Sequence, residues 1–305
     1  MASGGSGMMQ MMIFGCGYSG TAIARSARGM GAGVAGTTRT LDNATALADE
    51  GIAAFVFDGA TITDELPTAL AQVTHLVQSI PPSPDGDPLL GLSDGALRQL
   101  CPRLQWIGYL STVGVYGDQG GDWVDEEGEC HPSLGRSQER VDAEKAWLSQ
   151  GEAMGVPVAI LRLAGIYGPG RNAFVNLDKG TAKRIVKKDQ VFNRIRVEDI
   201  AAATLFLAQG HLSGVFNITD DEPAPPQDVI AEAARLMGVE PPPEQLFETA
   251  NMTPMARSFY SANKKVSNRK IRNLGFAFRF PEYRMSLQQL WTTGEWRRLN
   301  GLASG

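Results

Sequence analysis

Three glycines, Gly15, Gly17 and Gly20, stand between an apolar run, Met8 to Phe14, and a segment whose small apolar residues Ile23, Ala24 and Ala27 recur at helical spacing. A G-x-G-x-x-G turn between a strand and a helix constrains this chain more than any other feature. The first glycine permits a sharp turn, the second lets the backbone touch a pyrophosphate, and the third lets the helix pack closely on the sheet. The start of that helix offers unpaired N–H groups and the positive end of its dipole to phosphate. The chain is therefore expected to open with a dinucleotide-binding unit, with Gly15, Gly17, Tyr18, Ser19 and Gly20 against the cofactor.

Strand and helix patterns then alternate. Strands are expected at 33–38, 53–57, 74–80 and 106–111, and a helix at 63–71 carrying Asp64 and Glu65 in its first turn. This alternation implies right-handed βαβ units, and ligands in such sheets lie beyond the carboxyl ends of the strands. Residues at those ends, Thr38, Arg39, Asp58 and Ser79, join the expected cofactor set. A preference for NAD usually places a carboxylate after the second strand, where it meets the ribose hydroxyls. Arg39 instead suits a 2′-phosphate, which its fork of donors matches. NADP is the expected cofactor, with NAD the alternative because Asp42 follows. The proline-rich exit of the fourth strand, Pro81 to Pro88, breaks both regular structures and reads as a lid or an inert loop.

The 305 residues allow one large domain or two, and 43% hydrophobic with 20% charged residues is the composition of a globular protein. A formal charge of −5 argues against general nucleic-acid binding. Three cysteines without metal-ligand spacing suit a reducing compartment, so a cytoplasmic protein without a metal is expected. No apolar run has the length of a membrane span. Residues 1–7 read as a tag or linker.

From the fifth strand onward the chain resembles the extended short-chain dehydrogenases/reductases, the NAD-dependent epimerase/dehydratase family. Ser111-Thr112-Val113-Gly114-Val115-Tyr116-Gly117 is similar to that family's Ser-Ser/Thr-x-x-Val-Tyr-Gly signature. Leu161 to Arg171 resembles its sixth-strand exit, and Arg194-Ile195-Arg196-Val197-Glu198-Asp199-Ile200-Ala201 its Arg-Ile-His-Val-Asp-Asp-Ile-Ala segment. The resemblance implies an α/β fold with a Rossmann-type doubly wound parallel sheet and a smaller C-terminal substrate-side lobe. The expected division is 8–165 with 192–222 for the dinucleotide domain, and 166–191 with 223–305 for the lobe.

In that family a Ser/Thr acts with a helical Tyr-x-x-x-Lys. Thr112 takes the Ser/Thr place. With the helix expected over 135–150 and its pattern anchored on Glu144, Arg136 falls at the Tyr place and Arg140 at the Lys place. Phe14 likewise stands where extended members usually have the first glycine of G-x-x-G-x-x-G. These departures resemble the atypical members of the family. Arginine stays protonated and is no general acid or base, so Arg140 is assigned to the cofactor and Arg136 to a substrate anion or to solvent. Tyr116 is the first candidate for the proton donor, with packing beneath the cofactor loop as the alternative, and Tyr167 is the second.

Arg171, after Tyr-Gly-Pro-Gly, is the expected anion holder on the substrate side. Lys179, Lys183, Arg184, Lys187 and Lys188 form a basic stretch that fits an anionic ligand or a solvated surface. Asp199 is expected to serve a helix dipole over 200–208. A seventh strand is expected at 215–218, and helices at 227–237 and 286–299 with Leu287, Leu290, Trp291 and Leu299 on one face. Two functions fit these features. The first is an NADP-dependent oxidoreductase or epimerase-like enzyme on a polar, anionic small molecule, a nucleotide sugar by resemblance. The second is a non-catalytic NADP-binding sensor or scaffold. A homodimer is compatible with either, and neither a nucleic acid nor a membrane is an expected partner.

Overall fold

The computed structural model describes residues 8–61, 65–93, 96–133 and 135–298. Seven strands form one sheet: β1 (Gln10–Phe14), β2 (Gly33–Thr38), β3 (Ala53–Val56), β4 (His75–Gln78), β5 (Trp106–Thr112), β6 (Val158–Leu163) and β7 (Gly214–Ile218). Their order across the sheet is 3-2-1-4-5-6-7, every pairing is parallel, and the order reverses between β1 and β4. That reversal is the topological switch point of a doubly wound α/β fold, where ligands bind.

The central strands β1, β5 and β6 are buried along nearly their whole length and mostly apolar, because helices cover both faces of the sheet. On one face Met11, Ile13, Leu161 and Leu163 meet Ile23, Ala24 and Ala27 of α1 (Tyr18–Gly29), together with Ile200 and Ala201 farther along the chain. On the other, Met12, Phe14, Ile107 and Ile160 pack with Leu66, Leu70 and Trp147. Strand residues alternate between the two clusters with period two, as their Cβ directions require.

The remaining helices that matter are α2 (Leu41–Asp49), α3 (Arg136–Met154), α4 (Val197–Gln209), α5 (Pro226–Met237) and α6 (Tyr283–Thr293). Several bounds differ from the sequence expectation. The helix expected at 63–71 spans only Leu66–Leu70, while Thr63 and Asp64 lie outside the described residues. The last helix begins earlier, at Tyr283, and ends at Thr293 because Gly294 turns left-handed with φ 72°; Leu299 lies outside the described residues, as does 1–7. Among the described residues no helix is long and apolar enough to cross a membrane.

The amino end of β4 carries a buried titrating group. The His75 ring stacks on that of His211 at 5.2 Å, and its Nδ1 lies 2.8 Å from Thr74 Oγ1. Burial first, and His211 second, push its pKa from 6.5 down to about 4. The unfolded chain therefore takes the proton first, so this group's contribution is complete above pH 6.5 and is lost as pH falls toward 4. Between those limits His75→Gln should remove roughly 2–3 kcal/mol of the acid destabilisation. Urea unfolding of both proteins at several pH values measures it, and parallel curves would contradict the assignment.

Candidate dinucleotide and substrate site

The glycine turn is shaped by β2 and β4 as much as by its own residues. Thr37 Oγ1 accepts from Gly15 N at 3.0 Å, and Cys16 N donates to Thr37 O at 2.8 Å. Gly15 has φ 89°, and a Cβ there would stand 2.9 Å from Ile80 Cγ1. At Gly20 a Cβ would stand 2.4 Å from Gly15 O, so the helix cannot approach the strand with any side chain there. Gly17 is different: its φ is −82°, and a Cβ would meet no heavy atom within 4 Å. Packing within the protein therefore does not require a glycine at 17.

Gly17 is also the N-cap of α1, and it supplies no side-chain hydrogen bond to the helix. No acidic residue occupies the first turn. The helix thus presents its dipole and early N–H groups at the switch point without a negative charge of its own, which suits a diphosphate. Around this point lie the other expected cofactor residues. Thr38 is buried and Arg39 exposed at the end of β2, and Ser79 is half-buried after β4, its N–H donated to Phe14 O at 2.9 Å. Asp58 is exposed and accepts from Ala60 N and Thr61 N at 2.8 and 3.0 Å, bonds that hold its carboxyl below the usual range.

The proline-rich exit of β4 is a fixed turn, closed by Ser83 against Gly86. Asp87 then accepts from the Gln78 side chain, from Trp147 Nε1 at 3.0 Å and from Leu89 N at 2.9 Å, which pins the helix Pro88–Ser93 to α3. Sequence reasoning passed over Asp87, because its partners come from three separate elements.

The proton-donor assignment needs correction. Tyr116 is fully buried; its hydroxyl donates to Asn217 Oδ1 at 2.8 Å, and burial pushes its pKa up to about 12. It packs within the core and does not face a cleft. Tyr167 is half-buried on the strand Gly165–Tyr167. Arg140 donates Nη1 to the Leu110 carbonyl at 2.6 Å, a bond that ties α3 to β5. Arg136 is exposed at the first position of α3. Thr112 is half-buried, and its Oγ1 accepts from Gly114 N at 3.1 Å. A hydroxyl that sequence reasoning missed shares the space over Gly114 with it: a Cβ on Gly114 would stand 3.3 Å from Thr112 Oγ1 and 3.5 Å from Ser137 Oγ.

Glu144, used above only as an anchor for alignment, is the centre of a buried network. Its carboxylate accepts from Ser111 Oγ at 2.5 Å and from Arg162 Nη2 at 2.8 Å, which locks α3 onto β5 and β6. Lys264 joins the loop after Tyr116 to the C-terminal segment. It is buried, donates to Gly117 O at 2.7 Å, and is pushed below its ordinary pKa by burial. Tyr260 precedes it by four positions, the family's Tyr–Lys spacing, yet the segment is not helical and the Tyr260 ring packs on Phe192 and Phe247.

Beyond β6 Arg171 is exposed, with its guanidinium 5.9 Å from the Tyr18 ring centroid at the start of α1. Tyr18 donates its hydroxyl to Pro169 O at 3.0 Å, which joins the glycine turn to the sixth-strand exit. The basic stretch is largely spent on the protein itself. Lys183 donates to Asn251 O, Lys187 to Tyr260 O, and Arg184 pairs with Glu244. Asp199 is likewise more than a partner for a dipole: its buried carboxylate accepts from Arg279 N and Phe280 N at 2.8 and 2.9 Å.

No family model matches the chain. It is 29% identical to Protein YeeZ of Escherichia coli K12, over 90% of this chain and 97% of that one. The solved structure of the Thermus thermophilus UDP-glucose 4-epimerase, a complex with NAD, superposes at TM-score 0.76 with 18% identity over 93% of this chain and 98% of the other, a likeness of fold. A functionally unknown conserved protein from Silicibacter pomeroyi superposes at TM-score 0.85 with 40% identity, covering 94% of this chain and 100% of that one. With that identity over the full length of the second protein, the chain belongs to the same family as the Silicibacter pomeroyi protein, on the Rossmann-type fold expected from its sequence.

Proposed function

We propose that this protein binds NADP(H) at the β1–α1 turn and acts as an oxidoreductase or epimerase-like enzyme of the short-chain dehydrogenase/reductase type on a polar, anionic substrate. The observation that carries the reading is Gly17: its glycine is dispensable for packing, and it stands before an uncapped helix at the switch point of the sheet. The bound dinucleotide would supply hydride transfer. In this reading the first N–H groups of α1 hold its diphosphate, and Arg39 holds the 2′-phosphate. Thr112 and Ser137 donate hydrogen bonds to a substrate oxygen, while Arg171 holds a substrate anion.

Arg39→Ala should weaken NADPH binding about ten- to a hundredfold, the equivalent of a charge-assisted contact of roughly 1.5–3 kcal/mol. NADH binding should change little. Equal losses for both nucleotides would remove the 2′-phosphate role. Turnover is tested by NADPH oxidation across nucleotide sugars, aldehydes and imines. The burial of Tyr116 and the commitment of Arg140 to Leu110 favour the second reading, a sensor or scaffold that binds cofactor without turnover. Steady oxidation with any of these substrates decides against it.

A further inference from the structure

A cavity of about 460 Å³ lies on the lobe, between α5, α6 and the short helix Ala173–Asp178. Arg171, Lys179 and Arg194 line it, and among the described residues no carboxylate does. Opposite them Val229, Ile230 and Leu287 supply an apolar wall. Its volume is in the range of small-molecule sites, and such sites combine an apolar lining with a few convergent polar groups.

Arg171 and Lys179 are exposed, whereas Arg194 is half-buried. Among the described residues Arg194 donates Nη1 to the carbonyls of Phe192 and Ala224 at 2.9 and 3.0 Å, and its guanidinium carbon lies 5.9 Å from the Tyr283 ring centroid. Asp220 acts on it electrostatically without an ion pair among the described residues, and burial lowers the pKa of Arg194. Tyr283, also on the cavity wall, has a buried hydroxyl without a hydrogen-bond partner among the described residues, although Asp228 and Glu232 act on it, while the Tyr167 hydroxyl has Ser286 as its neighbour. A half-buried cation and a buried hydroxyl left this way are costly, and an anion between them, held also by the exposed Arg171 and Lys179, offsets that cost.

We propose that this cavity binds a small amphipathic anion, with a carboxylate or phosphate head group against Arg171, Lys179 and Arg194 and an apolar body against Val229, Ile230 and Leu287. Such a ligand would lie beside the first residue of α1, because Arg171 reaches the Tyr18 ring.

The test is a calorimetric titration of the whole protein, without nucleotide and at low salt, with octanoate, octyl phosphate, inorganic phosphate and octanol. One octyl anion should bind at least about tenfold more tightly than either octanol or inorganic phosphate, and which one binds identifies the head group. Lys179→Glu and Arg171→Glu, both at exposed positions, should each weaken it by a similar factor, and Ile230→Trp should fill the cavity and abolish it. If Ile230→Trp fails to fold, the two charge variants decide. The proposal is overturned if neither octyl anion binds, if octanol or inorganic phosphate binds equally well, or if both charge variants leave the affinity unchanged. Because no nucleotide is present, such a failure leaves the dinucleotide proposal standing.

Discussion

Glu144→Ala is expected to lower the unfolding free energy by about 3–5 kcal/mol, the cost of breaking a buried ion pair from one side. Glu144 and Arg162 are 3% and 6% exposed, and the guanidinium reaches the carboxylate through both Nε and Nη2. Arg162 Nη1 makes no well-formed hydrogen bond among the described residues, although the Cys130 and Tyr116 side chains neighbour the guanidinium, the Tyr116 ring 4.8 Å from its carbon. Removing the carboxylate leaves a buried cation on β6 and a Ser111 hydroxyl without its acceptor. A drop of roughly 5–8 °C in the thermal midpoint should accompany the loss. The double variant Glu144→Leu with Arg162→Met should recover much of it, since two apolar residues carry no desolvation penalty. Denaturant unfolding of the wild type and the two variants measures this. A loss below about 1 kcal/mol for Glu144→Ala would place the pair among weak surface contacts.

Gly17→Val should have the reverse profile, with stability within about 1 kcal/mol of wild type and dinucleotide affinity reduced at least about tenfold. The backbone at 17 is extended, a conformation that a β-branched residue accepts, and the space beyond its Cα holds no protein atom within 4 Å. Gly20→Ala provides the contrast, because its Cβ meets the Gly15 carbonyl and the fold itself must yield. Thermal melts alongside NADPH titrations separate the two effects. A folded Gly17→Val that binds NADPH as tightly as wild type would mean that the turn is only structural.

The parallel sheet was legible in the sequence for a physical reason. Short runs of apolar and β-branched residues bounded by turn residues mark strands, so β2 was read at its observed bounds and β7 within one residue. The glycine turn was legible because its demands are local. Roles set by distant partners were not. Tyr116 looked free for chemistry because Asn217, which takes its hydroxyl, lies 101 positions away. Asp199 looked like a dipole partner because the backbone it holds, at Arg279 and Phe280, is 80 and 81 positions distant. The lysines at 183 and 187 looked like a ligand patch for the same reason, since the carbonyls they bind belong to Asn251 and Tyr260. Ser137 could not be read as a neighbour of Thr112 until α3 was docked on β5.

The central claim is that the β1–α1 turn is a dinucleotide site that favours the 2′-phosphate. The most direct measurement is a calorimetric titration of the wild-type protein with NADPH and then NADH. Saturable binding at one site per chain, with NADPH the tighter ligand, is the predicted result. A folded protein that binds neither nucleotide would contradict the claim.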